Sequence, residues 1–301
     1  PPYGSVSISQ AAVRRVLTDA VRSYTVVLCF TILYCTHLRS YVFNVVSCGT
    51  LQMIIYWRIA PTAENAQSVF GAFHTTMMVY VLLTLTTTFY HGDAFKIEQP
   101  DIAAGRHGLA SAMLADLLVC ATRVTTIGCV LAPLIFFGCG FSRGHDLVHL
   151  FDFLVPIVMV GIFADSLGLF MLYASFNESF MGTFTGPTMA IFALYSGYFI
   201  KLRNTPSSIA HLCRINPIRG CEELFITSHF GGVTLECGDV PPEERTVPCP
   251  LPGDVVLSAL DYKKDTKMHN GLVLLLAPLL LRLLAYIAFR LNTQGRSGRS
   301  G

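Results

Sequence analysis

Apolar residues gather into long runs without charge, broken by shorter polar stretches, which is the pattern of helices that cross a bilayer. Residues 40–57, 69–90 and 179–200 contain no Asp, Glu, Lys or Arg. Residues 124–142 are also uncharged, and their apolar pattern extends back to Met113 across Asp116 and Arg123. Residues 148–176 carry only Asp152 and Asp165, and 271–289 only Arg282. These runs predict six spans. Pro133, Pro156, Pro187 and Pro278 lie inside them and are expected to kink rather than end the helices, because neighbouring groups in a membrane bundle re-satisfy the freed carbonyls.

Residues 8–38 lead into the first span. Arg14, Arg15 and Arg22 alternate there with Val13, Leu17 and Val21, which predicts an amphipathic helix lying in the interface. A seventh span over 23–38 is the weaker alternative. The expected fold is thus an all-α integral membrane protein of six helices with an amphipathic elbow helix and a large loop before the last span. Its parts are an amino-terminal segment (1–39), the six-helix domain (40–293, with the loop at 201–270) and a disordered low-complexity tail (294–301). A second polar loop, 91–108, is expected to hold a short surface helix.

Composition agrees. The chain is 52% apolar and 13% charged, about half the usual charge of a soluble domain, with mean hydropathy +0.54. A net charge of +2 is too small for a phosphate-binding surface, so no nucleic-acid partner is expected. The chain starts at Pro1-Pro2, expected to follow a segment outside this sequence. There is no GxxxxGK[ST] loop, dinucleotide turn or GxSxG in the sequence. The chain is therefore expected to hydrolyse no nucleotide, to be no enzyme by itself and to hold no cofactor.

Ten cysteines show no CxxC pair. Most lie in or beside spans, where cysteine acts as a small hydrophobe. Cys237 and Cys249 flank a Pro/Glu-rich turn in the large loop: either two free thiols, or a disulfide contributing about 3 kcal/mol in an oxidising compartment. Asp165 in mid-span must face protein or water. Arg123, Asp116 and Arg282 are its candidate partners, in a structural ion pair or, less readily, a proton or substrate relay. His145, His149 and Asp152 share a helical face that either binds metal or only solvates a helix end, the second being the simpler reading. His74 reads as a packed, hydrogen-bonded histidine. Asn177-Glu178-Ser179 is a glycosylation sequon, idle if the chain ends are cytosolic. The basic ends place both termini weakly on the cytosolic or matrix side. Plasma and organellar membranes, such as the mitochondrial inner membrane, remain open alternatives.

The order of the remaining features carries a family resemblance. The fifth run ends in Ser196-Gly197-Tyr198-Phe199-Ile200, followed by Asn216-Pro217-Ile218-Arg219 with Glu223, the loop cysteines, and Gly253-Asp254-Val255-Val256-Leu257 before the last span. Over residues 10–293 this resembles the membrane domain of the G subfamily (White/half-transporter type) of ATP-binding cassette transporters. The resemblance implies a homo- or heterodimer, or a subunit of a larger complex, moving lipid or other hydrophobic compounds. ATP-Mg would bind only to a nucleotide-binding domain that is missing here or supplied in trans. It implies a cavity between spans two and five lined by Thr75, Met78, Val79 and Leu82 with Gly186, Ala190 and Ala193. It also implies a coupling loop at Glu98, Asp101 and Gly105. Small residues at 186, 190 and 193 equally suit close helix packing.

Departures from the family pattern motivate an alternative. Leu82 stands where an aromatic is usual, Gly220 follows Arg219 where tyrosine is usual, and the aromatic and basic residues flanking Asp101 and Gly105 are missing. The alternative is a non-transporting membrane subunit derived from a transporter. A secondary transporter using Asp165 ranks third, since no inverted repeat is visible.

Overall fold

The computed structural model describes residues 18, 21, 35–60, 62–103, 109–142, 148–175, 178–238, 243 and 247–297, with the backbone alone at 35–42, 86–103, 112, 178, 182 and 293–297. The expected elbow helix therefore lies outside the described residues apart from two isolated positions. So do Gly105, His145, Asp146, Asn177 and the last residues of the tail.

The architecture is helical, with one two-stranded ribbon. In chain order it comprises α1 (Cys35–Ile55), α2 (Ala66–Ala103), α3 (Leu109–Gly138), α4 (Val148–Ser175) and α5 (Glu178–Leu194), then α6 (Ser207–Arg214) and α7 (Pro217–Phe230). The ribbon follows, β1 (Thr234–Leu235) with β2 (Leu251–Pro252), and then α8 (Gly253–Ala259) and α9 (Lys267–Ser297). The strands are antiparallel, with Leu235 opposite Leu251.

Four stretches are long and apolar enough to cross a membrane: Ala66–Leu85, Leu109–Gly138, Val148–Ser175 and Lys264–Asn292. Of the expected first span, the residues with described side chains form an apolar helix over Phe43–Ile55. The expected fifth span stops at Leu194 after 17 residues, about 26 Å of helix, rather than at Ile200. It stops because Gly197 takes φ +122°, which no right-handed helix accommodates. Conversely, α2 continues for 38 residues to Ala103, about 57 Å against a hydrocarbon core of roughly 30 Å. The stretch from 91 to 103, expected as a loop with a short surface helix, is a continuation of the span. Ala94, Lys96, Glu98 and Gln99 are good or tolerable helix formers. The last helix runs on to Ser297, into the tail expected to be disordered.

Helix α4 occupies the centre, packed by α2, α3, α5, α7 and α9. Lipid is as apolar as leucine, so close packing and hydrogen bonds must hold such a bundle together. The contact of α3 with α4 shows how. Tyr80 of α2 is fully buried and donates to the carbonyl of Val124 at 2.6 Å. A Cβ at Gly161 of α4 would meet Tyr80 Cε1 at 2.6 Å and Val124 Cγ1 at 2.8 Å, so only glycine lets the three backbones approach. Toward the start of α4, Phe73 stacks on Phe225 with centroids 4.0 Å apart, and Phe153 meets both edge-on. This aromatic cluster seats α7 on the bundle. At the other end, Leu109, Met113, Leu172, Tyr173 and Phe289 form a second apolar core.

Candidate functional site

The large loop is a folded end-piece, and its anchor is the Asn-Pro-Ile-Arg segment. Asn216 caps α7: its side chain accepts from Ile218 N at 3.0 Å, with Pro217 in the first turn, where a missing N–H costs nothing. The same amide donates to the carbonyl of Phe192 at 2.7 Å, tying α7 to the end of α5. Arg219 then turns inward, 4% exposed. It donates to Asp261 O at 2.9 Å and Ser196 O at 3.4 Å, lies 5.0 Å over the Tyr262 ring, and faces Glu223 at 3.9 Å. A Cβ at Gly197 would stand 2.8 Å from Tyr262 Oη and 2.9 Å from Arg219 Nη1. The Ser-Gly-Tyr-Phe turn thus carries glycine for its φ and for the guanidinium beside it.

One residue along, Glu222 is fully buried. Its Oε1 lies 2.5 Å from His74 Nδ1 of α2, and its Oε2 accepts from Tyr262 at 2.9 Å. Burial, with Glu222 adding to it, pushes the Tyr262 hydroxyl well above its ordinary range. Glu223 accepts from Lys263 N at 2.8 Å and Thr266 Oγ1 at 2.6 Å, fixing the approach to α9. His74 also stacks flat on Tyr198, 4.4 Å between centroids. One polar cluster therefore joins α2, the turn after α5, α7 and the segment before α9. The sequence reading singled out His74 and Arg219 but not Glu222 or Tyr262. A glutamate beside the motif's own Glu223 was the available signal.

Deeper in the bundle, Asp165 of α4 is fully buried between two arginines. Arg123 of α3 donates to Oδ1 at 2.5 Å and Arg282 of α9 to Oδ2 at 2.8 Å. Arg282 also pairs with Asp116 of α3 and donates to Ser166 Oγ at 3.1 Å. Two cations and two anions so placed neutralise one another and bind three helices across the bilayer depth.

At the tip of the end-piece, Cys237 and Cys249 form a disulfide beside the ribbon, with Cα atoms 5.5 Å apart. Glu236 O accepts from Ala63 N at 3.0 Å, so the tip is stitched to the entry of α2.

Of the expected cavity residues, Thr75, Met78 and Val79 on α2 are half-buried and Leu82 is 55% exposed. On α5, Gly186 opens onto free space, Ala190 is exposed and Ala193 is buried in the main core. Helices α2 and α5 are in contact. Glu98 and Asp101 fall on the extension of α2, their side chains outside the described residues. His149 is half-buried and Asp152 exposed. Among the described residues no three metal-ligating side chains come together.

Apolar helices of membrane length, neutralised charges at depth and a folded polar end-piece define an integral, multi-pass membrane protein. A model of the ABC-2 type transporter family matches residues 11–230. The chain belongs to that family of membrane domains. Among curated proteins it is similar to Protein white of Drosophila melanogaster, 27% identical over 151 residues, 49% of this chain and 21% of that protein. It is also similar to ABC transporter G family member 1 of Dictyostelium discoideum, 23% identical over 253 residues, 82% of this chain and 32% of that protein. The chain thus spans a third or less of these relatives.

Proposed function

We propose that this chain is the membrane half of an ATP-driven transporter of the G type, moving lipid or another hydrophobic compound. The family match across 11–230 carries the reading. An exposed apolar face of α2 and α5, with Leu82, Ile191 and the open Gly186, supports it. A second copy or a related chain would cover that face and enclose the cavity. Helix α1 and the 17-residue α5 would complete six spans, with the interfacial helix before them. ATP-Mg would bind a nucleotide-binding domain outside these residues, which pushes on the polar extension of α2 near Glu98, Asp101 and Gly105. The chain itself supplies no catalytic residue.

Leucine at 82 in place of an aromatic favours a second reading, a transporter fold retained as a structural subunit, since leucine gives a flat ligand no stacking surface. The test reconstitutes the native assembly in phosphatidylcholine vesicles holding a fluorescent phosphatidylcholine and measures its ATP-dependent movement. Movement that is lost in Leu82→Arg, with the assembly intact, supports the transporter. No movement, and a purified complex lacking any ATP-binding chain or domain, overturns it in favour of the structural subunit.

A further inference from the structure

Along α9, Met268, Leu272, Leu275, Leu276, Leu279 and Leu283 recur at spacings of three and four and are all exposed. This is the row of a helix that turns one side to hydrocarbon. The row starts early: Met268, beside Lys267 in the first turn, is 87% exposed. The apolar stretch that holds it is 29 residues long, more than the roughly 20 that cross the hydrocarbon core. Its charged first turn therefore falls at headgroup level.

Helix α6 lies against that turn. The His269 ring donates to Arg214 O at 3.2 Å. Ile209, Leu212 and Cys213 share one face of α6, and Ser207, Ser208, His211 and Arg214 the other. Of the apolar face, Cys213 is buried in the protein, 4% exposed, but Leu212 is 64% exposed. Ile215, just past the helix, is 56% exposed. The apolar surface of α9 thus continues onto α6 at the bilayer boundary.

Charge on this edge is one-sided. Residues 201–215 contain Lys201, Arg203 and Arg214 and no acid. Arg203 faces Asp261 at 3.9 Å, and Lys264 pairs with Asp254 at 2.6 Å. Arg214 and Lys267 are exposed, and among the described residues neither has a carboxylate within ion-pair distance. Lys267 also opens a helix, where the backbone dipole disfavours a cation. The fold gains nothing from it there.

We propose that this edge docks on the headgroup layer and selects anionic phospholipid, with Leu212, Ile215 and Met268 among the upper acyl chains and Arg214 and Lys267 beside the phosphates. Apolar side chains flanked by unpaired cations are what an interfacial helix on an anionic surface requires. The lipid is a bound neighbour of the outer surface and not a transported compound. Helix α9 packs on α3, α4 and α7, whereas the expected cavity lies on α2 and α5. The proposal therefore stands whether or not the chain transports anything.

The test reconstitutes the native assembly in phosphatidylcholine vesicles with a trace of phosphatidylglycerol or of phosphatidylcholine, each carrying the same photoactivatable diazirine acyl chain. Peptide mass spectrometry then counts adducts on residues 207–215 and 267–269 relative to residues 279–284, which face hydrocarbon. Phosphatidylglycerol should label the edge at least about fivefold more than phosphatidylcholine, the worth of one basic residue at an anionic surface. High salt should narrow the ratio. Arg214→Gln combined with Lys267→Gln should bring it close to one. Lys264→Gln, which removes the same unit of charge from a residue already paired with Asp254, should leave it unchanged. All three side chains are exposed, so melting should stay near the parent's. Equal labelling by the two lipids in the parent, or a preference that survives in the double variant, overturns the proposal. An edge labelled by neither lipid also overturns it, since α6 would then be covered by protein rather than by the bilayer.

Discussion

His74 Nδ1 and Glu222 Oε1 stand 2.5 Å apart although 148 residues separate them in the chain. Both are buried, so each is the other's main compensation for leaving water. Helix α2 and the end-piece are thereby locked at one point. Glu222→Leu should lower stability by about 3 kcal/mol, the typical loss when one member of a buried pair is removed. His74→Leu should cost a similar amount. Thermal melting of the four species in a double-mutant cycle should give a coupling above about 1 kcal/mol. Additive effects would show that the contact contributes nothing.

Gly197→Ala places a methyl group at φ +122° and against Arg219 and Tyr262. Strain of this kind costs about 1–3 kcal/mol, and displacing Arg219 adds to it. The yield of monodisperse protein by size exclusion should fall several-fold, while Gly232→Ala, whose Cβ would meet nothing within 4 Å, should fall less.

The charges at bilayer depth predict an ordering. Asp165→Leu removes the carboxylate that Arg123 and Arg282 share and should cost about 3–5 kcal/mol. Adding Arg123→Leu restores the balance of one cation to one anion. The double variant should therefore melt higher than Asp165→Leu, although it carries one more change. A double variant that melts lower would mean that Arg123 stabilises the bundle independently of Asp165.

Tyr262 gives a pH dependence. Its hydroxyl is neutral in the fold, because burial and then the nearby Glu222 push its pKa well above the ordinary tyrosine value. A raised folded pKa contributes stability that is complete below the unfolded value and is lost as pH rises past it. Melting should therefore steepen its decline above about pH 10, and Tyr262→Phe should remove that extra decline.

For the disulfide, Cys237 and Cys249 should resist a maleimide on the native protein and react after reduction. Cys237→Ser should lower stability by about 3 kcal/mol, the expected worth of closing a loop of this length. Labelling without prior reduction would show two free thiols.

The uncharged runs and the Asn-Pro-Ile-Arg segment were readable because each effect is local: hydrocarbon solvent demands an apolar stretch, and an Asn-Pro pair caps the helix that follows it. Asp165 was also visible, because an acid within an apolar run is conspicuous whatever surrounds it. Where helices end was less legible. The sequence reading ran the fifth span through Ser196 and Gly197, since both are uncharged, and it broke α2 at its first polar residues, though polar residues extend a helix well once it leaves the bilayer.

Bilayer thickness and charge exclusion act along the chain, so the class was already written there: a multi-pass helical protein with a polar end-piece before the last span. That Arg282 shares Asp165 with Arg123, and that Glu222 rather than its neighbour receives His74, emerges only in three dimensions. Those outcomes depend on which helix faces meet. Helices buried on several sides show no clear polar face in the sequence, so their mutual rotation is settled by packing around α4.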